Sequence, residues 1–471
     1  MDHQRSRAPA LAAALLLALA GAGCTATTDA VRGVGGTPGA AGLRDPYFPK
    51  LGNGGYDVRH YALTLDYDPK ANQLTGTAEI TARATQDLSA FNLDFHGMTV
   101  HSATVDGAPA AVNRAANELT LRPRADLDKG STFKTVVRYS GSPRTITDAD
   151  SSEEGWLKTS DGAIALGEPT GSMAWFPGNH HPSDKASYDI TVTVPKGLTA
   201  VSNGELRSRR PAGSGGRTTF VWHAGQPMAS YVATVAMGAY DVRTTPKKGA
   251  DGVPVYSASD RTVTARSEKL LARIPELLAW AQENFGPYPY LSTGAIVERT
   301  GDSGYALETQ NRPVMPADQF TTGILVHELA HQWYGNSVTP RTWQDMWLNE
   351  GFATYAEWLY SEDFEDTPAQ VSHERAFADR SNWAFPPAEP PSAENISDPP
   401  VYGRGAMVLH KIRQAVGDDT FFTIVEGWAQ EHRHANASTD DFVAYVEEES
   451  GKDLTELWDT WLYGEDKPAK P

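Results

Sequence analysis

His327-Glu328-Leu329-Ala330-His331 is followed, after eighteen intervening residues, by Glu350. In a helix, His327 and His331 stand four residues apart and share one face, so both imidazoles can reach one metal ion while Glu328 lies beside it as a base. Two His and one Glu are the ligands of a catalytic zinc that keeps its fourth position open for water, whereas structural zinc sites are closed by four protein ligands. The stretch therefore predicts a zinc hydrolase with one Zn²⁺ held by His327, His331 and Glu350.

The residues around this motif predict two packed helices. Residues 320–326 form an apolar lead-in with Thr321-Thr322 as caps, and Gly335-Asn336 is expected to end the first helix. Two His and a Glu buried on such a helix would be costly without a metal. Residues 347–356, which contain Glu350, have the apolar spacing of a second helix that can pack against the first.

Composition places the chain among ordinary globular proteins. It has 471 residues, 40% hydrophobic and 21% charged, enough for two or three domains with sizeable cores. The formal net charge of −18 argues against nucleic acid or an anionic membrane surface as a partner. We make no prediction of oligomeric state.

Residues 1–23 predict an export signal. Arg5 and Arg7 give a positive start, residues 8–20 form an apolar run, and three small residues come before Cys24. The run is too short for a permanent membrane anchor. We therefore expect a protein exported from a bacterial cell.

Cys24 is the only cysteine, so an intramolecular disulfide is excluded. Its position after small residues indicates the lipid-modified cysteine of a bacterial lipoprotein, but Gly21 stands where such signals usually have Leu. Lipid anchoring at the outer face of the cell membrane and free secretion both stay open, and a lipid on Cys24 would be the only membrane contact. Residues 24–45 are predicted to be a flexible linker.

Two patterns divide the rest of the chain. From Tyr56 to about Asp241, apolar residues alternate in short runs bounded by Gly, Pro, Asn and Asp, which predicts an antiparallel β domain over residues 46–245. Beyond a boundary near 245, spacings of three and four over residues 270–285 predict a helix. Residues 246–465 are therefore predicted to be a mainly helical domain, with further helices at about 403–416 and 439–450.

The chain resembles the aminopeptidase N family of zinc aminopeptidases, gluzincins that include leukotriene hydrolase. The zinc motif, residues 347–353 (Trp-Leu-Asn-Glu-Gly-Phe-Ala) and residues 284–290 (Asn-Phe-Gly-Pro-Tyr-Pro-Tyr) carry the resemblance, which runs from roughly residue 50 to 463. It implies an α+β multidomain fold: an N-terminal β saddle or sandwich followed by a thermolysin-like zinc peptidase domain. The large helical C-terminal domain usual in the family is expected to be missing.

The resemblance also nominates substrate-contacting residues. Residues 401–406 resemble the segment that bears the family's transition-state tyrosine, which is Tyr402 here. Residues 305–309 align with the exopeptidase motif Gly-Ala-Met-Glu-Asn but keep only Ala306 and Glu308. Glu168 stands where the family presents a second acidic or amide group from its β domain.

The predicted function is removal of single residues from peptides with a free N-terminus. Glu328 would move the proton, Tyr402 would stabilise the oxyanion, and Glu308 with Glu168 would pair with the substrate α-ammonium. Asp345 is a candidate for orienting a ligand His. Two alternatives stay open, a zinc endopeptidase of the same fold and a surface binding protein without turnover.

Overall fold

The computed structural model describes residues 35–213, 216–246 and 252–471. The predicted export signal and Cys24 lie outside these ranges. Within them, no helix combines the length and the apolar character needed to cross a bilayer.

The alternating sequence of the first half forms β-sheets. In the strand Tyr56–Asp68, for example, Tyr61, Leu63, Leu65 and Tyr67 are buried and the residues between them are more exposed. The strands of this part are β1 (Thr37–Pro38), β2 (Tyr56–Asp68), β3 (Gln73–Ala84), β4 (Leu88–Asp94), β5 (Thr99–Val105), β6 (Ala108–Pro109), β7 (Ala111–Ala115), β8 (Glu118–Arg122), β9 (Thr132–Gly141), β10 (Thr145–Thr147), β11 (Glu153–Lys158), β12 (Ala163–Leu166), β13 (Lys185–Pro195), β14 (Thr199–Ser202), β15 (Glu205–Ala212), β16 (Arg217–Ala229) and β17 (Val235–Gly238).

These strands assemble into three sheets among the described residues. Their orders are β15-β16-β13-β2-β3-β9-β5-β6, β10-β11-β12-β17-β14 and β1-β4-β8-β7. Most neighbours are antiparallel, as predicted, but β13 lies parallel to β2. These two strands are far apart in the sequence, so no hairpin fixes their relative direction, and the alternating pattern does not encode it.

The end of the predicted linker is packed and not flexible. β1 pairs with β4, and the buried Asp45 accepts hydrogen bonds from the backbone N–H of Trp343 at 3.0 Å and from Nε2 of His181 at 3.2 Å. Tyr47 donates its hydroxyl to the carbonyl of Pro390 at 2.6 Å. Small residues favour flexibility in isolation, but the backbone of any sequence can pair with an open sheet edge.

The second half contains most of the helices. Its strands are β18 (Tyr240–Thr245), β19 (Val255–Asp260), β20 (Ile296–Glu298), β21 (Val314–Pro316), β22 (Thr339–Pro340) and β23 (Asn436–Ala437). Its α-helices are α1 (Thr264–Leu271), α2 (Ile274–Phe285), α3 (Thr322–Ala330), α4 (Trp347–Phe364), α5 (Ala369–Ala378), α6 (Gly405–Val416), α7 (Asp418–Glu431), α8 (Thr439–Ser450) and α9 (Thr455–Leu457). Across both halves, 3₁₀ turns cover Gly171–Ala174, Ser230–Val232, Trp343–Met346, Arg380–Trp383 and Ala393–Asn395. π-helical turns cover Pro400–Arg404 and Trp458–Leu462.

A four-stranded sheet of order β18-β19-β20-β21 belongs to this half and was not predicted. β18, which ends at Thr245 next to the predicted boundary, pairs with β19 of this sheet. β20 and β21 have three residues each, too few to show a period. The helix predicted over residues 270–285 is two helices, α1 and α2.

The zinc motif lies on α3, whose N-terminus is capped as expected. The Thr321 side chain accepts a hydrogen bond from the N–H of Ile324 at 3.3 Å. The α-helix ends at Ala330, earlier than predicted, and His331 is its C-cap. α4 packs against α3 and carries Glu350 in its first turn.

Candidate active site and zinc centre

The three predicted ligands converge. Nε2 of His327 lies 3.3 Å from Oε2 of Glu350, and Nε2 of His331 lies 3.5 Å from the same oxygen. One ligand atom from each residue lies within 4.8 Å of the other two, and all three residues are buried. Two nitrogens and one oxygen at this spacing can surround a single ion.

The far side of each imidazole is held by a hydrogen bond. Nδ1 of His327 lies 2.8 Å from Oε1 of Glu357, and Nδ1 of His331 lies 3.2 Å from the carbonyl oxygen of Tyr334. Both partners can only accept, so each Nδ1 carries the proton and each Nε2 keeps its lone pair for the metal.

Asp345, the residue predicted to orient a ligand His, does not do so. Its carboxylate accepts from the backbone N–H and the hydroxyl of Thr439, at 2.8 and 2.9 Å, and from Thr342. It caps the 3₁₀ turn Trp343–Met346, because an acidic residue in a first helical turn satisfies free N–H groups. Glu357, seven residues after Glu350 on the same face of α4, orients His327 instead.

The charges around the three ligand atoms favour a bound cation. Burial opposes protonation of both imidazoles, but neighbouring carboxylates outweigh it, so that the pKa of His327 is raised well above its ordinary value and that of His331 to about 9. Burial likewise opposes ionisation of Glu350, but the two imidazoles lower its pKa to about 2. Positive charge is therefore favoured where the three ligand atoms meet.

Glu328 lies beside the ligands with one oxygen free. Its Oε2 is buried and has no hydrogen-bond partner among the described residues. Burial, opposed by His331 and His327 and reinforced by Glu308 and Glu350, raises its pKa to about 8. A carboxylate oxygen without a hydrogen-bond partner, on a group with a raised pKa, can both accept and return a proton near neutral pH.

Glu308 and Glu168 come together next to the zinc ligands. Carboxylate oxygens of Glu168, Glu308 and Glu350 lie within 4.8 Å of one another. Burial, and then the other carboxylates, raises the pKa of Glu168 well above its ordinary value. Glu168 belongs to the β domain and Glu308 to the second half of the chain, so this pair forms only in the folded protein.

Tyr402 stands over the first ligand. It lies in the π-helical turn Pro400–Arg404 that leads into α6, and its ring is stacked on His327 with centroids 6.2 Å apart and planes at 15°. Burial, followed by nearby carboxylates, raises its pKa well above the usual value, so the hydroxyl stays protonated and able to donate.

The imidazoles of His180 and His181 are held by hydrogen bonds to neighbouring residues. The ring nitrogens of His180 lie 3.0 Å from the Ser230 hydroxyl and 3.0 Å from the carbonyl of Phe176, and His181 bonds to Asp45 and Ser183. The described residues therefore use both imidazoles for structure.

Two family models match the chain. The Peptidase M1 N-terminal domain matches residues 58–232, and the Peptidase family M1 domain matches residues 305–461. The chain belongs to peptidase family M1.

Related M1 proteins extend this match. The chain is 24% identical over 445 residues to Aminopeptidase 2 of Candida albicans, covering 85% of this chain and 46% of that protein. It is 27% identical over 324 residues to Probable aminopeptidase 2 of Sulfurisphaera tokodaii, covering 61% of this chain and 39% of that protein. The chain thus spans less than half the length of these two relatives.

A solved M1 structure aligns over almost its whole length. It is a mutant M1 zinc metallopeptidase from Deinococcus radiodurans with a Tyr-Ser-Ala substrate bound, and it has 29% identity to this chain and a TM-score of 0.85. The alignment covers 91% of this chain and 99% of that one. The β domain and helical domain described above are therefore the two-domain arrangement of M1 peptidases.

The residues of this M1 chain fit zinc. The donor set of two imidazoles and a carboxylate, the hydrogen bonds that turn both Nε2 atoms inward, and the free oxygen of Glu328 are the features that a catalytic zinc requires. Zn²⁺ is the cofactor of the site.

A cavity of about 680 Å³ opens beside the metal ligands. Asp148, Asp150, Glu153, Glu168 and Pro169 line its β-domain side. The facing wall is formed by the second half of the chain, including Tyr305, Ala306, Glu308, Glu328, Glu357 and Tyr402. None of the described residues that line it is Lys or Arg. The M1 active site is therefore a strongly acidic cleft between the two halves.

Proposed function

We propose that this chain is a zinc aminopeptidase that removes single residues from the free N-terminus of peptides. The observation that carries the proposal is the pair Glu168 and Glu308, whose oxygens lie within 4.8 Å of those of the ligand Glu350. Two carboxylates beside the metal attract an α-ammonium group, whereas an interior peptide bond brings no positive charge to pair with them.

The position of the pair limits where a substrate can be cut. A substrate whose ammonium group meets Glu168 and Glu308 places its first carbonyl next to the metal ligands, because the carboxylates and the ligands adjoin. A longer N-terminal extension would have to pass through the two carboxylates. The geometry thus favours cleavage after one residue.

The remaining residues then have defined roles. Bound zinc would supply Lewis acidity, which polarises a carbonyl and lowers the pKa of a water molecule toward about 7. Glu328 accepts a proton from the attacking water on its free Oε2 and donates it to the leaving amine. Tyr402 donates a hydrogen bond to the oxygen on which negative charge develops. No covalent intermediate with the protein is required.

The relatives support the same proposal. The Candida albicans protein is named an aminopeptidase, and the Deinococcus radiodurans structure holds a tripeptide substrate. Because the chain spans less than half of the Candida protein, the activity has to be tested on the chain itself.

The test compares an aminoacyl anilide that has a free amine with its N-acetylated form. Cleavage of the free form alone supports the aminopeptidase. Cleavage of both forms supports the endopeptidase alternative, and cleavage of neither, by protein with one zinc per chain, supports the binding protein.

Export of the protein is a further proposal. It rests on residues 1–23 and Cys24 in the sequence. The mass of the mature protein from a bacterial host tests it: loss of residues 1–23 with added acyl mass on Cys24 indicates lipid anchoring, the same loss without that mass indicates secretion, and an intact N-terminus contradicts export.

A further inference from the structure

Three buried amides connect Glu308 to the zinc site. Gln332, Asn336 and Asn349 are each 0% exposed, and each donates a side-chain hydrogen bond to Glu308. We call these three residues the amide clamp. Gln332 directly follows the ligand His331, and Asn349 directly precedes the ligand Glu350.

Asn349 joins two carboxylates. Its Nδ2 lies 3.1 Å from Oε1 of Glu308 and 3.3 Å from Oε1 of Glu350. An amide nitrogen has two hydrogens, so each carboxylate receives one. These bonds fix the distance between the amine anchor and a metal ligand, and they offset part of the repulsion between two buried negative charges.

Gly335 leaves room for the Asn349 amide. Gly335 has φ of +116°, and a Cβ placed there would lie 1.8 Å from Oδ1 of Asn349. The amide oxygen therefore occupies the space next to Gly335, and Nδ2 faces the carboxylates. The flipped amide would point its oxygen at two negative groups, which excludes it.

The other two amides hold the backbone. The carbonyl oxygen of Glu308 accepts from Nδ2 of Asn336 at 2.7 Å and from Nε2 of Gln332 at 3.1 Å. Oε1 of Gln332 in turn accepts from the N–H of Asn311 at 2.9 Å. Both ends of Glu308, its backbone and its carboxylate, are thus tied to the segments that carry the ligands.

We propose that the amide clamp is a positioning device that sets the distance between the substrate's ammonium group and the metal, with Asn349 as its central residue. The proposal rests on the proposed aminopeptidase function. The clamp residues do not line the cavity and do not reach substrate, so they act through Glu308. Their loss should weaken recognition of the free amine more than it weakens metal binding, because His327 and His331 still hold the ion.

The experiment uses Asn349→Ala and Asn336→Ala, with Asn92→Ala as the control. Asn336→Ala is the cleaner deletion, because among the described residues the Asn336 side chain donates only to the carbonyl of Glu308, whereas Asn349 also donates to the ligand Glu350. Asn92 is another buried amide that donates to a backbone carbonyl, that of Gly39, but it lies in the β domain away from the cavity. For each protein the zinc content, Tm and the kcat/KM of free and N-acetylated anilides are measured.

We expect both clamp variants to keep one zinc per chain. Asn349→Ala should lower the free-to-acetylated preference by about tenfold or more, the effect of losing a hydrogen bond to a charged group, and Asn336→Ala by roughly three- to tenfold, because its bond is to the neutral carbonyl of Glu308. Asn92→Ala should lower Tm and leave the preference unchanged.

A preference within about twofold of wild type in both clamp variants overturns the proposal. Loss of zinc from folded Asn349→Ala also overturns the proposal, because the Asn349 amide would then support only the ligand Glu350. If Asn349→Ala does not fold, Asn336→Ala decides the question. Absence of any free-amine preference in the wild type contradicts the proposed function itself, and that result is visible before any variant is made.

Discussion

Removal of Glu357 should weaken zinc binding without touching a ligand. Its Oε1 accepts the Nδ1 proton of His327 at 2.8 Å, and this bond is what turns Nε2 toward the metal. In Glu357→Ala the imidazole loses its only described partner on that side. The ring is then free to rotate or to change tautomer, and zinc binding has to restore its order.

The size of the effect follows from the contact. A hydrogen bond to a charged group contributes about 1.5–3 kcal/mol. The Glu357 side chain is 33% exposed, so water can replace part of the lost hydrogen bond, and the lower end of this energy range applies. We expect about 1.5–2 kcal/mol, or roughly 10–30-fold weaker zinc binding. Glu357→Gln keeps an acceptor without the charge and should lie between wild type and Glu357→Ala.

The assay is competition for Zn²⁺ with a chelator of known affinity, at fixed pH and salt. Asp345→Asn is the matched control, because Asp345 is also acidic and close to α4 but bonds to Thr439 and Thr342. It should lower Tm and leave the zinc Kd unchanged. A zinc Kd of Glu357→Ala within twofold of wild type, or equal weakening by Asp345→Asn, would refute the assignment of Glu357.

Four further outcomes are expected. Glu328→Gln should retain zinc and lose nearly all turnover, because the amide cannot accept a proton; metal analysis with kinetics checks this, and activity within tenfold of wild type would exclude Glu328 as the base. Tyr402→Phe should lower kcat about a hundredfold with little change in KM, and a change in KM alone would indicate a packing role. Glu308→Ala should lower kcat/KM for free-amine substrates by roughly two orders of magnitude, about 2.7 kcal/mol, and an unchanged free-to-acetylated preference would leave Glu168 as the anchor. Burial lowers the pKa of His180 from 6.5 to about 4. The neutral ring therefore contributes stability above pH 6.5, and this contribution, about 3 kcal/mol in all, is lost as the pH falls toward 4. As the pH is lowered, the Tm of the wild type should fall more steeply than the Tm of His180→Gln.

The zinc site was predictable because its information is local. His327, Glu328 and His331 lie within five residues of one helix, and Glu350 lies in a segment with a clear helical period. The helix over residues 439–450 was predicted to the residue, because Ser438 and Asp441 form a capping box and Gly451 follows the last turn.

Contacts between distant segments were not predictable. The parallel pairing of β13 with β2 and the short strands β20 and β21 depend on tertiary packing, which leaves no period in the sequence. Glu357 was missed, although one signal could have found it. It follows Glu350 by seven residues, two helical turns, and so had to lie on the same face of α4. Glu168 and Glu308 were found by resemblance, and no pattern in the residues alone joins them.

The origin of Glu168 has a consequence for how such a protein can diversify. The chemistry of the site resides in one half of the chain, in His327, Glu328, His331 and Glu350, whereas Glu168 and the acidic wall formed by residues 148–153 come from the other half. Mutation or recombination in the β domain can therefore alter which substrates are accepted while the catalytic half is inherited intact. Selection on the β domain can act on the choice of substrate alone, whereas a change at Glu308 would also act on the metal site, to which Asn349 ties it.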